Sequence, residues 1–145
     1  MAPFHGERVG LMWYITQWYS EFVRRVFKTR TFARWSRKAG LADAALRAAV
    51  VEMAAGLIDA DLGGRVYKKR VRLPGRGKSG GARTLIATDL GDRWFFLFGF
   101  EKNDRDNIDA RELASLQSIA HVLLEMKPRQ LDQAVEAGEL MEIET

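Results

Sequence analysis

Apolar positions along the chain change their period twice. Leu46, Val50, Met53 and Leu57 recur at three- or four-residue intervals, which predicts a helix capped by Asp43 and closing near Gly56. Just before it, Phe32-Ala-Arg-Trp-Ser-Arg-Lys-Ala-Gly40 predicts a shorter helix, with Phe32 and Trp35 on one face, Thr29 or Thr31 as its cap and Gly40 as its stop. The two helices are expected to pack as a hairpin. Residues 21–28, with Phe22, Val23, Val26 and Phe27, read as a strand. Beyond Asp61-Leu-Gly-Gly64 the helical period ends. Residues 65–72 predict a strand, 74–81 a loop, 82–88 a second strand and 89–92 a turn. Residues 93–100 predict a third, central strand, because their nearly unbroken apolar run suits burial on both faces. Asp109 with Glu112 three residues later has the form of a capping box. It opens a helix through about Met126, with Leu113, Leu116, Ala120, Leu123 and Leu124 on its apolar face. Residues 131–137 form a further short helix ending at Gly138. The class is α+β: a small antiparallel sheet packed by an N-terminal helix pair and C-terminal helices.

Composition narrows the function classes. A chain of 145 residues, 47% hydrophobic and 29% charged with three prolines, is one packed domain and neither a disordered nor a collagen-like chain. Cysteine is absent, which excludes a disulfide framework, a thiolate nucleophile and any zinc site built on sulfur. His5 and His121 are too far apart for a local metal motif, so no metal or cofactor is expected. No stretch approaches the length of a membrane span, the apolar patch of residues 11–19 is interrupted by Thr16 and Gln17, and neither a membrane span nor a secretory leader is expected. A cytoplasmic protein follows by elimination. Trp13, Tyr14, Trp18, Tyr19 and Phe22 suit either an aromatic helix face or an upstream extension with Met12 as an alternative start. Residues 1–25 are therefore set apart as an extension, with the domain at 26–145.

Charge is distributed unevenly. Residues 65–83 hold Arg65, Lys68, Lys69, Arg70, Arg72, Arg76, Lys78 and Arg83 and no acid, whereas acids outnumber bases from Glu101 onward. Such a run draws polyanions, with a merely solvated face as the lesser alternative. A strand's period of two turns Lys68, Arg70 and Arg72 to one face, and Arg83, leading the next strand, sits across from them. Gly75-Arg-Gly-Lys-Ser-Gly80 has the letters of a dinucleotide fingerprint, but a strand follows it where that fingerprint needs a helix. Gly77-Lys-Ser79 lacks the first glycine of a phosphate-binding loop, whose place Arg72 occupies. What remains is a basic, glycine-rich hairpin loop whose N–H groups, Arg76 and Lys78 can approach a phosphate chain. Residues 102–107 lack the glycine and the distant glutamate of a calcium loop, and turn chemistry explains their acids. His121 reads as a surface or satisfied histidine.

Taken together, Phe27-Lys-Thr-Arg-Thr-Phe-Ala-Arg-Trp35, Leu57-Ile-Asp-Ala-Asp-Leu-Gly-Gly64, Lys68-Lys-Arg70, Pro74-Gly-Arg-Gly-Lys-Ser-Gly-Gly81 with Arg83, and Gly99-Phe-Glu-Lys-Asn103 resemble the RelE/HigB-type toxins of bacterial type II toxin–antitoxin modules. The likeness runs from about Val26 to Ile143. It implies a RelE-like fold, an mRNA endonuclease working without a metal on ribosome-bound mRNA, and neutralisation by a cognate antitoxin of helix-turn-helix type. By position, the family's strand cations fall on Lys68 and Arg70 and its next-strand arginine on Arg83, the expected catalytic residues. Lys69, Arg72, Arg76, Lys78, Lys102 and Asn103 are the expected RNA contacts. Two departures stand: the arginine and late tyrosine of the best-known RelE branch have no clear counterparts, since Asn103 and Asp109 lie near those places. Phe98 or Phe100 is available to stack a base, with core packing as the alternative. A gyrase-poisoning toxin of the ParE-like kind and a non-catalytic RNA-binding module are the rival readings.

Overall fold

Thr29 is where strand becomes helix. In the computed structural model, which describes residues 24–75 and 81–144, strand β1 (Arg25–Thr29) runs directly into helix α1 (Arg30–Ala39). The Thr29 hydroxyl accepts the Phe32 N–H at 3.2 Å, and also donates to the Leu97 carbonyl at 3.2 Å, tying the junction to a neighbouring strand. Gly40, at φ 75°, ends the helix in a left-handed conformation that a side chain would oppose. Helix α2 (Asp43–Ala54) buries Leu46, Val50 and Met53 as its spacing predicts. Its cap position, however, is Ala42, which makes no side-chain cap bond. Asp43 is instead the first helical residue and pairs with Lys28 Nζ at 2.8 Å. Leu57 lies past the helix end and is exposed.

The chain continues through β2 (Ala60–Asp61), β3 (Val66–Val71), β4 (Ala82–Thr88), β5 (Arg93–Glu101), α3 (Ala110–Leu124), α4 (Pro128–Glu136) and β6 (Leu140–Ile143). The capping box at the head of α3 is present in both directions, Asp109 to the Glu112 N–H and Glu112 to the Asp109 N–H. Strands β3, β4 and β5 form the expected antiparallel meander, with β5 inside the sheet. The six-stranded order is β2-β3-β4-β5-β1-β6, and β1 joins β5 in parallel, a pairing outside the expected meander. The two-residue β2 and four-residue β6 are too short to give a periodic signal. The N-terminal aromatic segment, Arg76 and Lys78 lie outside the described residues.

Two helical layers cover the sheet. On one face α1 and α2 bring Phe32, Leu46 and Met53 onto Ile86, Trp94 and Phe96. Each of these helices packs on the strands, α1 over β1 and β5 and α2 over β3, more than on its fellow, which corrects the expected hairpin. On the other face α3 and α4 bring Leu116, Ala120 and Leu131 onto Phe27, Leu85 and Phe95. Trp35 lies so close over β5 that a Cβ at Gly99 would stand 2.2 Å from its ring. The glycine is what lets α1 seat there. Among the described residues no helix is long and apolar enough to cross a membrane.

Candidate nucleic-acid interface

Alternation along β3 sorts its side chains between the two layers. Tyr67 and Val71 pack into the α1–α2 layer, while Val66 packs into the α3–α4 layer. Lys68 and Arg70, two and four residues on from Val66, therefore face the α3 side. Helix α3 crosses this face from Phe98, beneath its first two turns, to the β2–β3 turn, where Gln117 donates to the Leu62 carbonyl at 3.2 Å. The strand ends carrying Arg70, Arg83 and Phe100 lie beyond its N-terminus.

Register brings the cations together there. Arg70 is directly opposite Arg83, and Arg83 directly opposite Phe100; one pair back, Lys68 faces Leu85 and Leu85 faces Phe98. Directly opposed residues have their Cβ atoms roughly 5 Å apart, so two guanidinium groups share one small patch. Among the described residues, none of Lys68, Arg70 or Arg83 has a side-chain ion pair. Asp59 accepts the Arg70 backbone N–H at 2.6 Å, a bond that extends the sheet past the end of β2. Arg70 is exposed and Lys68 and Arg83 are half-buried. The exposed Arg72 follows the strand on the same period. Lys102 and Asn103 are exposed in the turn after β5, which the Lys102 N–H ties to the Gly81 carbonyl, beside the start of β4.

Lys69 does not belong to this face. It points into the α1–α2 layer with its side chain 8% exposed, and its Nζ meets Glu52 Oε1 at 2.8 Å and the Leu57 carbonyl at 3.0 Å. Its ammonium is thus engaged on the α1–α2 side, away from Lys68 and Arg70, and is not presented on their face. His121 lies on the surface at the far end of α3, where Arg65 Nη2 meets its Nδ1 at 3.1 Å.

Arg105 was not among the expected site residues. Its guanidinium stands 5.9 Å from the Phe98 ring centre and 5.7 Å from that of Phe100, within the roughly 6 Å of a cation–π contact. Glu112 holds it there through two hydrogen bonds, one of 2.9 Å from Nη1 to Oε2. The sequence offers one faint signal: Phe98 and Phe100 alternate on a face that must be covered near the strand end. Phe100 is buried and Phe98 half-buried, so Phe100 belongs to the core under Arg105 while Phe98 retains an open side.

The Arg105 hydrogen bonds, joined by the Asp109 N–H, hold the Glu112 carboxyl below its ordinary value of 4.5. A carboxyl depressed in the folded state adds stability above its unfolded value, and that stability is lost as pH falls through the lower, folded value. The stability difference between the native chain and Glu112→Gln is therefore expected to be level at neutral pH and to shrink below pH 4.5. Urea unfolding across this range checks it, and a difference that does not change with pH would remove the carboxylate from the account.

The fold and this face define an α+β protein whose open sheet end gathers cations that no carboxylate pairs among the described residues. Residues 24–143 match the family model described as RelE toxin of the RelE / RelB toxin–antitoxin system, and the chain belongs to that family. It is thus the toxin of a toxin–antitoxin module, with an antitoxin as its partner. No curated protein matches the chain.

Proposed function

We propose that this toxin is an endoribonuclease that cuts ribosome-bound mRNA and so stops translation, and that its cognate antitoxin, of helix-turn-helix type, blocks the cationic face. The observation that supports this reading is the direct opposition of Arg70 and Arg83 on one face, with Lys68 beside them and no carboxylate paired to any of the three among the described residues. Like charges this close repel, and a phosphodiester relieves them. Two guanidinium forks suit the non-bridging phosphate oxygens, where charge builds as the phosphorus becomes five-coordinate.

RNA supplies its own nucleophile. The 2′-oxygen attacks the neighbouring phosphorus, the bond to the 5′-oxygen breaks, and a 2′,3′-cyclic phosphate and a 5′-hydroxyl result. The 2′-hydroxyl gives up one proton and the leaving oxygen takes one. Arginine keeps its proton under all ordinary conditions, so of the three cations Lys68 is the one able to exchange a proton with a reacting oxygen. Arg70 and Arg83 hold the phosphate. The exposed Arg72 and Lys102 extend the positive surface beyond the strand ends, and Asn103 adds a neutral hydrogen-bonding group.

The test is to induce the toxin and map RNA 5′ ends. New ends inside reading frames, absent when the antitoxin is co-expressed, are expected. DNA damage without such ends would favour a gyrase poison, and arrest with neither would favour binding alone.

A further inference from the structure

Strand β3 is least supported where its cations stand. On its outer side β2 pairs only with Tyr67 and Lys68. On its inner side Arg70 lies directly opposite Arg83, and like charges so placed push β3 and β4 apart. A small set of bonds counters that push. The Asp59 N–H donates to the Lys68 carbonyl at 3.1 Å, and the Asp59 carboxylate accepts the Arg70 N–H at 2.6 Å. The buried Thr84 hydroxyl donates to the Lys69 carbonyl at 2.9 Å. Between them the Lys69 ammonium reaches Glu52, in the last turn of α2, at 2.8 Å and the Leu57 carbonyl just beyond that helix at 3.0 Å. Each residue from 68 to 70 is thus pinned, and Lys69 is the one pinned through its side chain to the helical layer.

We propose that Lys69 is a positioning residue, which ties the strand segment carrying Lys68 and Arg70 to helix α2 and so sets where their charged ends stand against Arg83. Its stem shares a face with Tyr67 and Val71, which pack into the apolar α1–α2 layer. A methionine would fill that space without the cost of taking an ammonium out of water, so stability alone does not call for a lysine there. What the ammonium adds is direction: bound to two oxygens it fixes the backbone from which it springs, whereas an apolar stem is free to slide. Scission is sensitive to such placement, since a shift of about 1 Å can cost roughly a hundredfold in rate. The inference rests on the scission reading for what the placed cations do, and not for the tether itself.

Lys69→Met and the conservative Lys69→Arg test it in the full chain. Lys69→Met strands no buried charge, because the Glu52 side chain is 53% exposed and returns to water. Cleavage of ribosome-bound mRNA is followed over a range of toxin concentrations, which separates maximal rate from half-saturation. In Lys69→Met the maximal rate is expected to fall about tenfold or more, with half-saturation within roughly twofold of native. The melting temperature stays at or above the native value, and the Arg70 amide exchanges its hydrogen about tenfold faster. Lys69→Arg, which still reaches Glu52, keeps the native rate. A higher half-saturating concentration at unchanged maximal rate overturns the proposal and makes Lys69 an RNA contact. A rate that falls only in step with melting temperature, or native activity in Lys69→Met, overturns it as well. If the native chain leaves mRNA whole, the scission reading falls and growth arrest on induction replaces the rate. Arrest lost in Lys69→Met and kept in Lys69→Arg then upholds the positioning role, and arrest equal in all three chains overturns it.

Discussion

Arg83→Ala is expected to abolish growth arrest on induction and to reduce RNA scission about a hundredfold or more, the usual loss when one preorganised donor to a developing oxyanion is removed. Arg83 stands between Arg70 on one side and Phe100 on the other, so its loss leaves a gap in the middle of the strip. Nothing in the fold depends on its charge, because among the described residues no carboxylate pairs with it. Melting temperature should consequently stay near the native value while activity falls. Lys68→Ala is expected to match it in toxicity, through loss of proton exchange rather than of phosphate binding. Growth curves, end mapping and thermal melts together decide the matter. Full toxicity in both variants would remove this face from the mechanism.

Gly99→Ala is expected to cost roughly 2 kcal/mol, as overpacking at a close contact does. For a domain of this size that lowers the melting temperature by roughly 8 °C. The clash falls on the rigid Trp35 ring and not on the tip of a flexible chain. The ring has little room to retreat, since Trp35 packs against Phe32, and Phe32 in turn against Phe96, with centroids 5.5 and 5.1 Å apart. A smaller residue at position 35 should restore space, so Gly99→Ala with Trp35→Leu should be more stable than the sum of the two single losses allows. Strict additivity, or a Gly99→Ala chain as stable as the native one, would show that the contact is not tight.

Where local pattern and tertiary burial agree, the fold is legible in the residues. The run 93–101 is apolar on both faces because β5 lies inside the sheet between two helical layers. The Asp109–Glu112 box and the Thr29 cap are local chemistry and are found as expected. The Arg25–Phe27 segment gives no hint of its parallel partner, because register between distant strands is set by packing and not by neighbours in sequence. In the site, the period of two that gathers Lys68 and Arg70 also sends Lys69 to the opposite face, where Glu52 meets it. The same alternation, followed through to Lys69, separates it from Lys68 and Arg70. Arg105 was not found this way. Between Asp104 and Asp106 it looks like part of an acidic turn, and only the folded chain brings Glu112 and the two phenylalanines around it.

The middle position of β1 has a bearing on how the molecule comes into being. Val26 lies opposite Trp94 on one edge and Ile143 on the other. Neither neighbour exists when β1 is synthesised, and contacts between such distant segments form slowly. Until then a strand with two bare edges is open to mispairing, the hazard that unpaired edges carry in any nascent chain. Between translation of β1 and arrival of β6 there is an interval in which the polypeptide is present but its six-stranded platform is not.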